Sequence, residues 1–113
     1  MSMLDTLQLR EDLNQRTLDI EADSYEKLID LSTNHFDASA SKIINMCIYD
    51  LAKKEQVTMC EMKDLEKHSV IIRKSAMDCL NKMKKKYNIP IYVLINIAIR
   101  EGIAKLEQKI MEN

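Results

Sequence analysis

The feature that most constrains the fold of this chain is one pattern that occurs twice along it. A short stretch of alternating apolar and polar residues leads into an amphipathic helix, and a break then separates that helix from a second, more apolar one. The first copy spans residues 16–54 and the second spans residues 68–108. One strand and two helices cannot bury all their apolar faces, because a core needs packed layers on both of its sides. The sequence therefore predicts a single domain, residues 1–113, in which the copies intertwine as a built-in dimer.

Two short strands are predicted from alternation, which is the period of a half-buried strand. They cover residues 17–21 and residues 68–73. The positions expected to point inward are Leu18, Ile20, Val70 and Ile72. The positions expected to point outward are Thr17, Asp19, Glu21, Ser69, Ile71 and Arg73.

Two helices are expected after each strand. Ser24 and Ser75 are predicted to cap the first helix of each copy, and Ser39 the second helix of the first copy. Pro90 is expected to begin the last helix, because proline suits a first turn and disfavours helix before it. The apolar stripe of that last helix is broad, which predicts burial on two sides, and Gly102 within it predicts a close helix–helix approach.

Two segments have a weaker pattern. Residues 55–67 join the copies, contain neither Gly nor Pro and are rich in helix formers, so they are expected to be at least partly helical. These thirteen residues reach about 20 Å as a helix and about 45 Å when extended, enough to bring the second strand beside the first. Residues 1–15 are expected either to pack as a short helix or to form an arm that orders on binding.

Composition excludes several classes of protein. With 46% hydrophobic and 31% charged residues, the chain is expected to be folded and soluble, and no apolar run reaches the roughly 18 residues of a membrane helix. The amino terminus lacks the pattern of a secretory signal, so a cytoplasmic location is expected. The three cysteines and two histidines have no metal-ligand spacing, and Cys47 and Cys79 are interpreted as core residues, so no metal or cofactor is expected. No glycine-rich phosphate loop or paired nucleophile and base is present, so an enzyme is not expected.

Charge is distributed unequally along the chain. Residues 1–66 hold seven basic and fourteen acidic residues, a net charge of −7, whereas residues 67–113 hold ten basic and four acidic residues, a net charge of +6. The densest basic cluster is Lys82 with Lys84, Lys85 and Lys86, which is interpreted first as a solvated helix face and second as a phosphate contact. If the chain binds a polyanion, the second copy is expected to contact it.

The second copy resembles the ribbon-helix-helix family of DNA-binding proteins, the Arc- and MetJ-like repressors. The resemblance is carried by residues 68–74 (HSVIIRK), by the helix that follows and by residues 94–101 (LINIAIRE), with a fainter version in residues 39–49 (SASKIINMCIY). The whole of residues 16–108 is similar in layout to TraY-type conjugation accessory proteins. The resemblance implies a mainly α-helical fold with a two-stranded antiparallel ribbon, a tandem ribbon-helix-helix pseudo-dimer in one chain. Two unrelated helical hairpins in a bundle are the alternative fold.

The resemblance also implies a mode of DNA binding. In that family the ribbon enters the major groove and its outward side chains read base edges, while the N-terminus of each second helix anchors a phosphate. The phosphate anchors would be residues 39–41, which include Ser39 and Ser41, and residues 90–92. The implied base-facing residues are Thr17, Asp19, Glu21, Ser69, Ile71 and Arg73, with Lys67 and Lys74 near the backbone.

The first copy departs from this scheme. Asp19 and Glu21 are acidic in a negatively charged groove, Asp37 precedes one phosphate anchor, and Pro90 removes an amide from the other. The leading expectation is sequence-specific double-stranded DNA binding, mainly through the second copy, by a transcriptional repressor or a plasmid or phage accessory factor. Such a protein would be a monomeric pseudo-dimer, and the sequence leaves open whether two such chains associate further on DNA. The alternative is a protein-interaction module, antitoxin-like or inhibitor-like, that has kept the scaffold and lost DNA binding.

Overall fold

The computed structural model describes residues 13–112, in which the order strand–helix–helix occurs twice. The fold is mainly α-helical with one two-stranded antiparallel sheet, as the sequence predicts. In the first copy the elements are β1 (Leu13–Glu21), α1 (Ala22–Asp30) with a π-helical turn (Leu31–His35), and α2 (Ala40–Ala52). In the second copy they are β2 (Leu65–Arg73), α3 (Lys74–Tyr87) and α4 (Ile91–Glu112).

The two strands pair along their whole length, from Leu13 opposite Arg73 to Glu21 opposite Leu65. Both are longer than predicted, because antiparallel pairing uses backbone groups and continues through residues that lack apolar alternation. Residues 13–15, expected in a helix or an arm, belong to β1. The rest of that expectation, residues 1–12, lies outside the described residues.

The core lies between the inner face of the ribbon and the four helices. Ile20, Val70 and Ile72 are buried there, as their alternation predicts. Helix α4 is buried without interruption from Val93 to Ile99, which fits the predicted burial on two sides. Continuous burial along a helix indicates that it lies at the centre of a domain with neighbours all round.

Helices α2 and α4 approach closely at Gly102. A Cβ atom added there would overlap the Sγ of Cys47, far inside van der Waals contact. The prediction of a close approach at Gly102 is therefore confirmed. Cys47 itself is buried, and burial raises the pKa of its thiol to about 11, so it serves as a small apolar core residue.

The four helices begin in three different ways. Ser39 caps α2, its Oγ accepting the Lys42 N–H at 3.1 Å, as predicted. The capping roles expected of Ser24 and Ser75 are wrong: both residues lie inside helices, because each strand continues directly into α1 or α3 without a loop. Helix α4 begins at Ile91, one residue after the predicted Pro90, and the Pro90 carbonyl accepts its first intrahelical hydrogen bonds.

The segment that joins the copies contains no helix, so the expectation for residues 55–67 is wrong. Residues 65–67 belong to β2, and residues 55–64 (the linker) have no regular secondary structure. Side chains of other elements bind two carbonyl groups of the linker: the Tyr87 hydroxyl donates to the Glu55 carbonyl at 3.1 Å and Arg100 donates to the Glu61 carbonyl at 3.0 Å. Val57 is buried as well, so tertiary contacts of the linker outweigh its local helix propensity.

Within residues 13–112, none of the helices combines the length and the apolar character needed to cross a membrane.

Candidate nucleic-acid interface

The outer face of the ribbon brings together most of the residues predicted for it. Cross-strand pairing sets Thr17 opposite Ser69 and Asp19 opposite Lys67, so these side chains share one face. All but Asp19, which is half-exposed, are exposed to solvent. Farther along the same face are Ile71, which is exposed although apolar, and the exposed Arg73. This set of side chains, with Gln15, is called the ribbon face below.

Gln15 is the member of the ribbon face that sequence reasoning missed. It is exposed and lies opposite Ile71. The apolar alternation that marked the strand begins only at Leu18, so the sequence offered no apolar signal at Gln15. The pairing of Gln15 with Ile71 is what places its side chain on this face.

Glu21 does not belong to the ribbon face, and the prediction that it points outward is wrong. Its side chain is buried, with only 6% of the residue exposed. Two nitrogens of Arg100 each donate to a different carboxylate oxygen at 2.6 Å, and the Lys63 N–H donates at 2.9 Å. The hydrogen bond from Arg100 is the main cause that lowers the pKa of Glu21, and the same pair raises the pKa of Arg100. Glu21 is the last residue of β1, where the chain turns into α1 and strand alternation ceases to set side-chain direction.

The other acidic residue of the first strand is neutralised across the ribbon. Lys67 Nζ lies 3.2 Å from an Asp19 carboxylate oxygen. An exposed ion pair of this kind adds little to stability, but it offsets the negative charge that would repel a polyanion. With Glu21 turned inward, the ribbon face carries Lys67 and Arg73 against the single carboxylate of Asp19.

Two buried asparagines attach the ribbon to the helices by the same arrangement. On α2, Asn45 donates to the Ile71 carbonyl at 2.8 Å and accepts the Arg73 N–H at 2.9 Å. On α4, Asn96 donates to the Asp19 carbonyl at 2.9 Å and accepts the Glu21 N–H at 2.9 Å. Each asparagine satisfies one donor and one acceptor of a strand backbone that would otherwise be unpaired. These two arrangements, called the asparagine clamps below, hold opposite strands at corresponding positions.

The predicted phosphate anchors lie beside the ribbon. The Ser41 hydroxyl accepts the Ile71 N–H at 3.0 Å, so the first turn of α2 contacts β2 directly. On α4, the Asn96 side chain contacts β1 one turn after Tyr92. Because the first N–H groups of a helix have no intrahelical partner, the starts of α2 and α4 provide backbone donors next to the ribbon. The hydroxyls of Ser39 and Ser41 are themselves engaged within the protein.

The basic residues of α3 fall into two groups. Lys74 is exposed at the first position of the helix, immediately after the ribbon. The cluster of Lys82 and residues 84–86 occupies the last turns, about 12–18 Å farther along the helix axis. Lys74 is therefore adjacent to the ribbon face, whereas the lysine cluster is at the opposite end of α3.

Among the residues that the structure describes, no three His, Cys, Asp or Glu side chains are grouped so as to hold a metal ion. No protein-family model, curated protein or solved structure matches this chain.

Proposed function

We propose that this protein is a tandem ribbon-helix-helix pseudo-dimer that binds double-stranded DNA by inserting its β-ribbon into the major groove. The observation that carries the proposal is the ribbon face: a largely exposed two-stranded surface of mostly polar side chains with two basic residues and one carboxylate, flanked by the starts of α2 and α4. A two-stranded ribbon fits the major groove, which is about 12 Å wide. The flanking helix N-termini offer backbone N–H groups to the phosphates on either side.

The asparagine clamps support the pseudo-dimer. Asn96 follows Asn45 by 51 residues, and the strand residues they hold are separated by 52, from Asp19 to Ile71 and from Glu21 to Arg73. Nearly equal spacings in helix and strand are what two copies of one unit produce. An antiparallel ribbon centred on the pair Thr17 and Ser69 is consistent with an approximate two-fold axis between these copies.

The two copies present different chemistry to DNA in this proposal. Arg73, the counterpart of Glu21, is exposed on the ribbon face, and its guanidinium matches the two acceptors of guanine. Glu21 is held by Arg100 and contributes nothing to the face. We therefore expect a site without a full palindrome, read at the centre of the ribbon and at its Arg73 end.

Binding to random duplex DNA tests the proposal. In a gel-shift titration at low salt the protein should bind, and log affinity should fall linearly with log salt because counterions are released from phosphates. Absence of salt-dependent binding to any duplex would favour the alternative, a protein-interaction module on the same scaffold.

Selection of bound duplexes from a random library then tests base reading. For a selected site, Arg73→Ala should weaken binding by about tenfold or more, the discrimination of one bidentate arginine–guanine contact, and should change binding to random DNA far less. Lys27→Ala on α1, an exposed basic position away from the ribbon face, is the matched control. Equal losses on selected and random DNA would contradict base reading by Arg73.

A further inference from the structure

An open groove of about 510 Å³ lies between the second halves of α2 and α4 and the segment that precedes α2. Its lining is mainly apolar, with Phe36, Ile43 and Leu106 among the residues that form it. Met46 also lines the groove and is 59% exposed, so a large apolar side chain is open to solvent beside this apolar lining. The groove is separate from the ribbon face, because none of the residues that form the ribbon face lines it.

The corresponding surface of the other copy is covered. Ile97 follows Met46 by 51 residues, the spacing that relates Asn96 to Asn45, yet Ile97 is only 4% exposed. On the side of that copy, the linker accepts hydrogen bonds from Tyr87 and Arg100, and the side chain of its Val57 is buried. The second copy thus holds a short segment without regular secondary structure through hydrogen bonds and one buried apolar side chain.

Charge at the rim of the groove indicates what such a segment would carry. Lys53, Lys105 and Lys109 line the rim, against one carboxylate, Asp50, which is paired with Lys105. Within residues 13–112, Lys53 and Lys109 make no ion pair. An apolar floor beside two such ammonium groups is complementary to apolar side chains flanked by carboxylates.

We propose that this groove binds a short acidic, amphipathic segment of a partner protein, with apolar side chains on Met46 and carboxylates near Lys53 and Lys109. The binding site lies away from the ribbon face, so the partner and DNA occupy the protein together. This inference adds a protein-binding activity to the proposed DNA binding and does not depend on it.

A library of random 12-residue peptides displayed on phage, selected against the whole protein, tests this inference. The enriched peptides should combine Asp or Glu with Leu, Ile, Met or Phe. A synthetic copy of the strongest peptide is then titrated by fluorescence anisotropy. Met46→Glu should weaken its binding at least about tenfold, and the double change Lys53→Glu with Lys109→Glu should do the same. Salt should weaken the binding, since rim charges are screened.

Met111→Glu provides the matched control, because Met111 is 86% exposed on α4 and does not line the groove. Thermal melting confirms that each variant is folded, and the double lysine variant keeps the test valid if Met46→Glu alters the melting temperature. The inference is overturned if no peptide is enriched or if binding is indifferent to both groove variants.

The inference would also be overturned by evidence that either of two other occupants fills the groove. Peptide binding that appears only after deletion of residues 2–12 would assign the groove to the chain's own amino-terminal segment. Self-association in sedimentation that Met46→Glu abolishes would assign it to a second copy.

Discussion

The two ends of the ribbon are held by the same device but present different chemistry. At one end Asn96 binds the backbone at Glu21, whose side chain is buried against Arg100. At the other end Asn45 binds the backbone at Arg73, whose side chain is exposed. The difference arises outside the clamps, because the linker lies against the Glu21 end and supplies the Lys63 N–H to that carboxylate. Corresponding positions of the two strand–helix–helix segments therefore share their backbone contacts, although the side chain of one position is buried and that of the other is exposed.

The largest expected effect is a loss of stability that differs between the two asparagine clamps. Asn96→Ala should lower the free energy of unfolding by about 3 kcal/mol and Asn45→Ala by about 2 kcal/mol, because each leaves strand backbone groups unpaired. Asn96 is 0% exposed and lies at the buried Glu21 end, so water replaces its hydrogen bonds less readily than at Asn45, which is 5% exposed. Urea denaturation measures both losses, with the exposed Asn81→Ala as control. A larger loss at Asn45 would contradict the proposed difference between the ends.

The close approach of α2 and α4 at Gly102 involves one helix from each copy, so a substitution there tests the packing between the copies. Gly102→Ala should cost about 2 kcal/mol, because the new Cβ overlaps Cys47 Sγ. In a Cys47→Ala background the same change should cost less than about 1 kcal/mol, and a double-mutant cycle measures this coupling. Additive effects of the two substitutions would show that the crossing relaxes without strain.

Replacement of Glu21 tests the structural role of the linker-covered end. Glu21→Gln should lower the free energy of unfolding by about 1–2 kcal/mol at neutral pH, since it removes a hydrogen-bonded charge pair with Arg100. Folding lowers the pKa of Glu21, so the stabilisation is present above the pKa of an unfolded glutamate, about 4.3, and is lost as pH falls through the folded value.

Denaturation at a series of pH values checks this, and Glu26→Gln, an exposed change on α1, is the control. Wild type and Glu21→Gln should converge in stability at low pH. If the difference in unfolding free energy between wild type and Glu21→Gln stayed constant across the acid range, the Glu21 carboxylate would be excluded as the source of that difference.

The smallest effect concerns the two groups of lysines on the second copy. Under the proposed DNA binding, changing Lys67 and Lys74 to Ala should reduce the slope of log affinity against log salt by about 2, because each lysine would neutralise one phosphate. The triple change of residues 84–86 to Ala should leave the slope unchanged, because these lysines are at the far end of α3. A flatter slope in the triple variant would place the far end of α3 on DNA and broaden the interface beyond the ribbon face.

Local patterns in the sequence predicted much of the fold. Alternation identified the buried Ile20, Val70 and Ile72, and the positions of Ser39 and Gly102 predicted a cap and a close helix approach. These features depend on neighbours within a few residues or on side-chain size. For the ribbon face, alternation likewise placed Thr17, Ser69 and Ile71 on the exposed side.

Contacts between distant segments account for the predictions that failed. Helix propensity favoured a helical linker, but Tyr87 and Arg100 donate hydrogen bonds to two of its carbonyl groups and the linker has no regular secondary structure. Alternation placed Glu21 outward, but Arg100, far along the chain, draws it into the protein.

By itself, the sequence determined the repeated strand–helix–helix order and the faces that are apolar, because periodicity is a local property of a helix or strand. The tertiary structure alone decided which strand end stays exposed, how the linker runs and which of two corresponding surfaces remains open. Those outcomes depend on hydrogen bonds and packing between residues about 40–80 positions apart, such as Asn96 with Glu21 and Arg100 with Glu61, which no local pattern encodes.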